Sequence, residues 1–380
     1  TAIAFAITLA TAGLSVSLSQ AFLFLSFCLW FLGKSIQGRW ELRATLRHPQ
    51  LLTGLFLYAC FLPGTLIHFL PVLPVELLDV SFVLAGIAFL DFVRQAEEKD
   101  LLFSEARLAR LLTGEGLNFH AGNRPQHPLY RGLVDLYRPV GFMNTRLTYT
   151  GLLLLYLPFL LPQKQDPRRI LKMFLICLAA ALILASGSRA TAAALLLFPL
   201  LFFFRRYQKL LPGAILLFIS GCATLVYLAD SWPSFLRHTD AYRAVIYSGA
   251  LEIWQDHPLT GTGSGQFPLH FARYKAQLLL SLPLSSFSIH NTPVNHAHND
   301  FLHFLVTGGV FAGAAFLLLV ASVFFLFWKG YSLYAGALSL FVAGLFQCYL
   351  LDDEVSLLFW LLPGLAHLLH LNAPPESQAS

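Results

Sequence analysis

Apolar runs too long for a single soluble core recur along this whole sequence, and they leave the backbone few choices. An unpaired amide in hydrocarbon costs several kcal/mol, so a membrane-embedded run of this length must close its hydrogen bonds internally, as a helix. Candidate spans are residues 2–17 and 20–33 (broken between Ser15 and Ser19), 51–69, 76–93, 147–162, 171–186, 190–204, 210–228, 301–327, 331–350 and 355–371. Only 12% of the chain is charged, against about a quarter in soluble domains, and 57% is hydrophobic, which excludes a water-soluble fold. The alternation of a β-barrel is missing. The chain reads as all-α, a polytopic integral membrane protein of about 11–12 helices in one domain, residues 1–380, and the N-terminal run reads as a first membrane helix.

The five cysteines, Cys28, Cys60, Cys177, Cys222 and Cys348, all lie in apolar runs without CxxC or CxxH spacing, so neither a disulfide nor zinc is implied. Basic residues gather in short turns: Lys34/Arg39/Arg43/Arg47, Lys164/Arg168/Arg169/Lys172, Arg205/Arg206/Lys209 and Lys329. The net charge of +5 is thereby a matter of topology, and no nucleic-acid partner is expected. The positive-inside rule puts these turns in the cytoplasm and the loop 229–300, the turn at Ser186–Arg189 and the acidic Asp352/Asp353/Glu354 turn outside. Three spans (51–69, 76–93, 147–162) cannot join two cytoplasmic loops. Either 94–146 hides a crossing or re-entrant piece, near Leu101–Leu112, or one early span does not cross. Residues 229–300 carry six His together with Pro and aromatics, as expected of a folded functional loop inserted between membrane helices.

Four polar clusters interrupt this pattern. In His296-Ala297-His298-Asn299-Asp300, Asn299 or Asp300 caps the following helix, and the positive helix pole beside His298 favours a neutral imidazole, as a general base requires. A bare cap with incidental histidines is the alternative; His296, His298 and His303 match no common zinc spacing. In Ser186-Gly187-Ser188-Arg189, Ser188 caps a helix whose first residue is Arg189. Cap, free N–H groups and guanidinium together suit a phosphate; a snorkelling arginine is the plain alternative. Arg243 opens an amphipathic helical stretch running to His257-Pro258-Leu259-Thr260-Gly261-Thr262-Gly263-Ser264-Gly265-Gln266-Phe267, where no GK[ST] follows the glycines, so no nucleotide loop is read. Finally, Arg138 and Arg146 flank Gly141 and Asn144 ahead of a span, as anion ligands or interfacial anchors.

Taken in chain order, Arg138/Gly141/Asn144, then Ser186–Arg189, then Arg243 with His257–Phe267, then His296–Asp300, the four clusters resemble the O-antigen ligase and O-antigen polymerase superfamily of bacterial inner-membrane glycosyltransferases, over residue 135 to the C-terminus. The ligase pattern is His298-Asn299, nine residues, Gly309, then two residues and a Gly, Thr or Tyr; here that position is Ala312, with Gly313 one step later. The resemblance implies an inverting transferase without metal or other cofactor. His298, Arg189 and Arg243 would be catalytic, and Arg138, Arg146, His296, Asn299 and Ser188 would bind substrate. The donor would be an undecaprenyl-diphosphate-linked glycan and the acceptor lipid A-core or another glycan, met among membrane lipids at the periplasmic face. A polymerase would use the same donor; a transporter or flippase for lipid-linked glycans would use the arginines as a path.

Overall fold

A chain this apolar closes its backbone hydrogen bonds in helices, and the computed structural model has that character over the residues it describes: 47–61, 83–84, 86–87, 90, 119–121, 137–139, 145–162, 166–207, 238–281 and 294–371. In chain order they form α1 (Pro49–Ala59), β1 (Phe119–Ala121), β2 (Tyr137–Pro139), α2 (Arg146–Tyr156, prolonged by the 3-10 turn Leu157–Leu160), α3 (Arg169–Ala185) and α4 (Arg189–Arg206). These are followed by α5 (His238–Asp256), α6 (Phe267–Ser281), α7 (Asp300–Trp328), α8 (Tyr334–Gly344) and α9 (Asp353–Leu371). The two strands form a small antiparallel ribbon, with His120 opposite Arg138. The expected spans 2–17, 20–33 and 210–228 lie outside the described residues, as does nearly all of 94–146.

The main core lies between α1, α2, α7, α8 and α9. Tyr58, Phe61, Phe304, Phe316, Phe341, Phe359 and Trp360 meet there in a chain of aromatic contacts. Helix α1 runs antiparallel to α7: Thr53 Oγ1 is 3.4 Å from Ser322 Oγ near one end, and Phe61 stacks on Phe304 at the other. A second, smaller core joins Ile246, Ala250 and Ile253 of α5 to Phe267 and Phe271 of α6, and to Ala297, Leu302 and Val306 at the start of α7. The part of 229–300 that is described is thus a folded helical pair docked on the first turns of α7.

Two spans differ from the sequence reading. The run 331–350 is not one helix: α8 stops at Gly344, because the Leu345 carbonyl accepts from Asn299 Nδ2 (3.0 Å) and the Tyr247 hydroxyl (3.2 Å), and the chain turns through 345–352. The run 301–327 is broken at Gly309, which adopts φ 72°, ψ −168°. Helix α5 also begins at His238, ahead of Arg243. Among the described residues one helix, Asp300–Trp328, is long and apolar enough to cross a membrane; Arg146–Leu160 and Tyr334–Gly344 are shorter apolar helices.

The two ends of the bundle differ chemically. One carries the capped N-termini of α2, α4 and α7, where Thr145, Ser188 and Asn299 accept from Thr148, Thr191 and Leu302 N–H, together with the turn 345–352. The other carries Arg47, Lys172, Arg205 and Lys329 at the termini of α1, α3, α4 and α7.

Candidate active site

His298 sits in the left-handed region, φ 50°, which L residues other than glycine seldom adopt. The conformation is held from both sides: its N–H donates to His296 Nδ1 (3.3 Å), and its carbonyl accepts from the Tyr247 hydroxyl (3.1 Å). Such strain persists only where the surroundings impose it, commonly at functional positions. The ring is fixed as well, with Nδ1 2.8 Å from Gln347 Oε1. An amide oxygen only accepts, so Nδ1 carries the proton and Nε2 keeps its lone pair, the tautomer a base needs. His296 stands edge-on to His298 at 4.4 Å between ring centroids.

Both imidazoles are kept neutral. Burial, followed by the neighbouring His298 and His303, pushes His296 down to about 3. Burial also lowers His298; the Gln347 hydrogen bond opposes this, and the Arg243 charge adds to it. The neutrality expected from the helix pole therefore has burial as its main cause. Arg243 lies one turn before Tyr247 on α5, on the same helix face, which turns both toward the histidine loop.

The second cluster is built around a helix-to-helix turn. Gly187 takes φ 66° after α3, Ser186 Oγ donates to the Ile183 carbonyl (2.6 Å), and Ser188 caps α4. Arg189 is then the exposed first residue of α4. Arg146 Nη1 donates to the Ser186 carbonyl at 3.0 Å, tying the start of α2 to this turn. Arg138 is described through its backbone alone, in β2, and Gly141 and Asn144 lie outside the described residues.

The segment that joins these clusters is the turn 345–352, which the sequence reading used only as a topological marker. Gln347 holds His298, the Leu345 carbonyl takes Asn299, and Leu350 N–H donates to Asp300 Oδ1 (3.2 Å). Tyr349 packs against Gly151 with its hydroxyl beside Thr150 and Ser188. Asp352 accepts from the Thr148 hydroxyl (3.0 Å), and burial raises its carboxyl to about 7 against that hydrogen bond, helped by Glu354 and Asp353. The only signals in the sequence are Gln347 inside the expected span 331–350 and the three acids of the turn expected after it.

The glycine-rich stretch has a structural task. Thr262 and Gly263 N–H donate to the Val306 and Thr307 carbonyls, both at 2.9 Å, and Val310 N–H donates to the Pro258 carbonyl, also at 2.9 Å. These are the groups freed by the break in α7 at Gly309, so the loop after α5 replaces the lost helical bonds. A Cβ at Gly309 would meet the Leu259 carbonyl, and one at Gly261 the Thr307 carbonyl; both residues have positive φ. Two motifs 40-odd residues apart in sequence interlock, and the docked loop positions α5, and with it Arg243 and Tyr247.

Among the described residues no group of three or more His, Cys, Asp or Glu side chains is arranged to hold a metal ion. The site thus combines an oriented neutral imidazole, a guanidinium beside it, and a capped helix start with a second guanidinium. That is the chemistry of proton abstraction next to an anion. No curated protein matches the chain. Residues 173–317, which hold the Ser186–Arg189 turn, α5, the glycine-rich loop, the histidine loop and the break in α7, match the family model described as O-Antigen ligase. This match supports membership of the O-antigen ligase/polymerase superfamily, whose members are membrane-associated bacterial enzymes of the glycosyltransferase type acting in lipopolysaccharide biosynthesis on lipid-linked glycans and sugar acceptors.

Proposed function

We propose that this chain is a polytopic inner-membrane ligase that moves a glycan from undecaprenyl diphosphate to a sugar hydroxyl of lipid A-core at the periplasmic face. One observation carries the reading: Arg243 and the oriented His298 lie within electrostatic reach of each other at the capped end of the bundle. His298 Nε2 takes the acceptor hydroxyl proton as that oxygen attacks the anomeric carbon. The bond to the diphosphate breaks on the opposite face, so configuration inverts, and the electron pair leaves with the lipid diphosphate. Arg243 and Arg189 stabilise the charge that grows there, with Ser188 and the positive pole of α4 beside it; Arg138 and Arg146 are assigned to substrate binding. No metal or other cofactor takes part in this scheme. Large apolar side chains exposed along α3, α4 and α7, among them Ile170, Phe174, Leu196, Phe311 and Leu317, suit helices facing lipid.

Ala312, where a ligase pattern has Gly, Thr or Tyr, favours polymerisation as the second reading. Reconstitution with a lipid-diphosphate glycan and either lipid A-core or more donor separates the two. A single addition to lipid A-core is expected, a ladder of products assigns a polymerase, and movement across the bilayer without transfer assigns a flippase.

Recognition of the diphosphate by a planar fork makes Lys a poor replacement. Arg189→Lys and Arg243→Lys should both impair transfer, and the Ala variants more so, with the protein still inserted and accumulating. Normal complementation of a deletion strain by both Ala variants would remove these residues from the donor site. For topology, single cysteines at described positions of 238–281, placed in a cysteine-free background, should react with an impermeant thiol reagent in spheroplasts. Labelling of the 163–172 turn in their place would invert the orientation.

Gln347 gives a pH test. Gln347→Glu puts a carboxylate on His298 Nδ1, which favours imidazolium and raises its pKa. The base form is then lost at higher pH, so the acid limb of the pH–rate profile should move upward. An unmoved limb would mean that His298 does not titrate in the rate-limiting step.

A further inference from the structure

At the basic end of the bundle, opposite the histidine loop, lies a cavity of about 300 Å³ that plays no part in the transfer chemistry. It is at the small end of the range for ligand pockets. Arg47, His48, Lys329 and His367 line it together with the hydroxyl-bearing rings of Tyr331 and Tyr334 and the apolar Leu90, Leu326 and Pro363. Among the described residues, no acidic side chain lines it.

Backbone poles reinforce the sign. Helices α1 and α8 both begin at this cavity, at Pro49 and Tyr334, and neither start has a side-chain cap. At α8 the first N–H groups are already bonded, Tyr334, Ala335 and Gly336 donating to the Tyr331, Ser332 and Leu333 carbonyls, so the start of α1 is the helix end that adds partial positive charge here. Helix α7 ends here as well, and Lys329, in contact with the Phe325 ring at 4.5 Å, offsets its carbonyl pole. Tyr334 Oη and His48 Nε2 are 3.5 Å apart across the floor. A cavity at the end of a helix bundle that is lined by cations and by apolar side chains fits a phosphodiester joined to an acyl chain better than a free anion.

We propose that this cavity binds the phosphate headgroup of an anionic phospholipid, held by Arg47 and Lys329 and the start of α1. The site is distant from the histidine loop: α7 alone, 29 residues long, spans roughly 40 Å at helical rise. Its failure is therefore separable from that of the proposed transfer activity.

The test uses the full-length protein purified in detergent and titrated with short-chain phosphatidylglycerol, with phosphatidylcholine of the same chains, and with inorganic phosphate. Binding is followed by native mass spectrometry. Phosphatidylglycerol should bind at least tenfold more tightly than the other two. A cation near an anionic headgroup is worth about fivefold in affinity, so Arg47→Gln and Lys329→Gln should each cost about that much and the double variant about twentyfold. Arg47→Lys should retain most of the affinity, and Arg206→Ala, at an exposed cation outside the cavity, should change nothing. The single variants decide the matter should the double variant fail to insert. Equal binding of phosphatidylcholine, equal loss in Arg206→Ala, or inorganic phosphate binding as tightly as the lipid each overturns the proposal.

Discussion

Purified His298→Ala is expected to transfer glycan about 10²- to 10⁴-fold more slowly than wild type, the usual worth of general base catalysis, with donor affinity retained. The geometry makes the expectation specific to one of two adjacent rings. His298 Nδ1 is engaged by Gln347, so Nε2 is the available lone pair. His296 Nδ1 is already spent on the His298 N–H, so His296 acts by shaping the strained loop, and His296→Ala should cost less. Two shared metal ligands would instead fail alike, and activity would vanish in EDTA and return with added metal. Measuring turnover of wild type and both variants with and without chelator separates these cases; near wild-type turnover by His298→Ala removes the base assignment.

Gly309→Ala should be the most damaging single methyl group in the described part of the chain. The added Cβ meets the Leu259 carbonyl, a backbone atom held by the loop's own hydrogen bonds, and the residue must keep φ 72°. Overpacking typically costs about 1–3 kcal/mol and a strained backbone conformation about 1–3 kcal/mol more. The loop then undocks from α7, α5 loses its seat, and transfer should fall to background even in protein that still inserts. Gly313→Ala is the matched control, because its Cβ meets the far end of the Leu305 side chain instead of backbone and its φ is not positive. Equal activity of the two variants would show that the interlock does not position the site.

Helix positions were readable because an apolar run admits no other backbone state: 147–162, 171–186 and 190–204 find α2, α3 and α4 within a few residues. The Ser188 and Asn299 caps were readable for the same local reason, a hydrogen-bonding side chain just ahead of an apolar run. What hydropathy hid is long-range. Nothing local in Gln347 says that it meets His298, 49 residues earlier, and the end of α8 at Gly344 is set by Asn299 and Tyr247 from other elements. The pair Gly308-Gly309 falls inside the continuous span 301–327 read from hydropathy, which is broken there. Its partner loop could be found only through the hydrogen bonds between Thr262, Gly263 and α7. The neutral state of His298 was expected from the sequence for a minor reason, since burial outweighs the helix pole.

The dependence of the histidine loop on residues 345–352 also sets an order of events during synthesis. Asn299, His298 and Asp300 leave the ribosome well before Leu345, Gln347 and Leu350, the groups that hold them. Until α8 and the turn after it are inserted, Gln347 cannot orient the imidazole and Asn299 Nδ2 lacks its Leu345 acceptor, although the cap from Asn299 Oδ1 to Leu302 N–H is local. On the proposed function, a chain terminated before Gln347 would lack the group that orients His298 and should not transfer glycan.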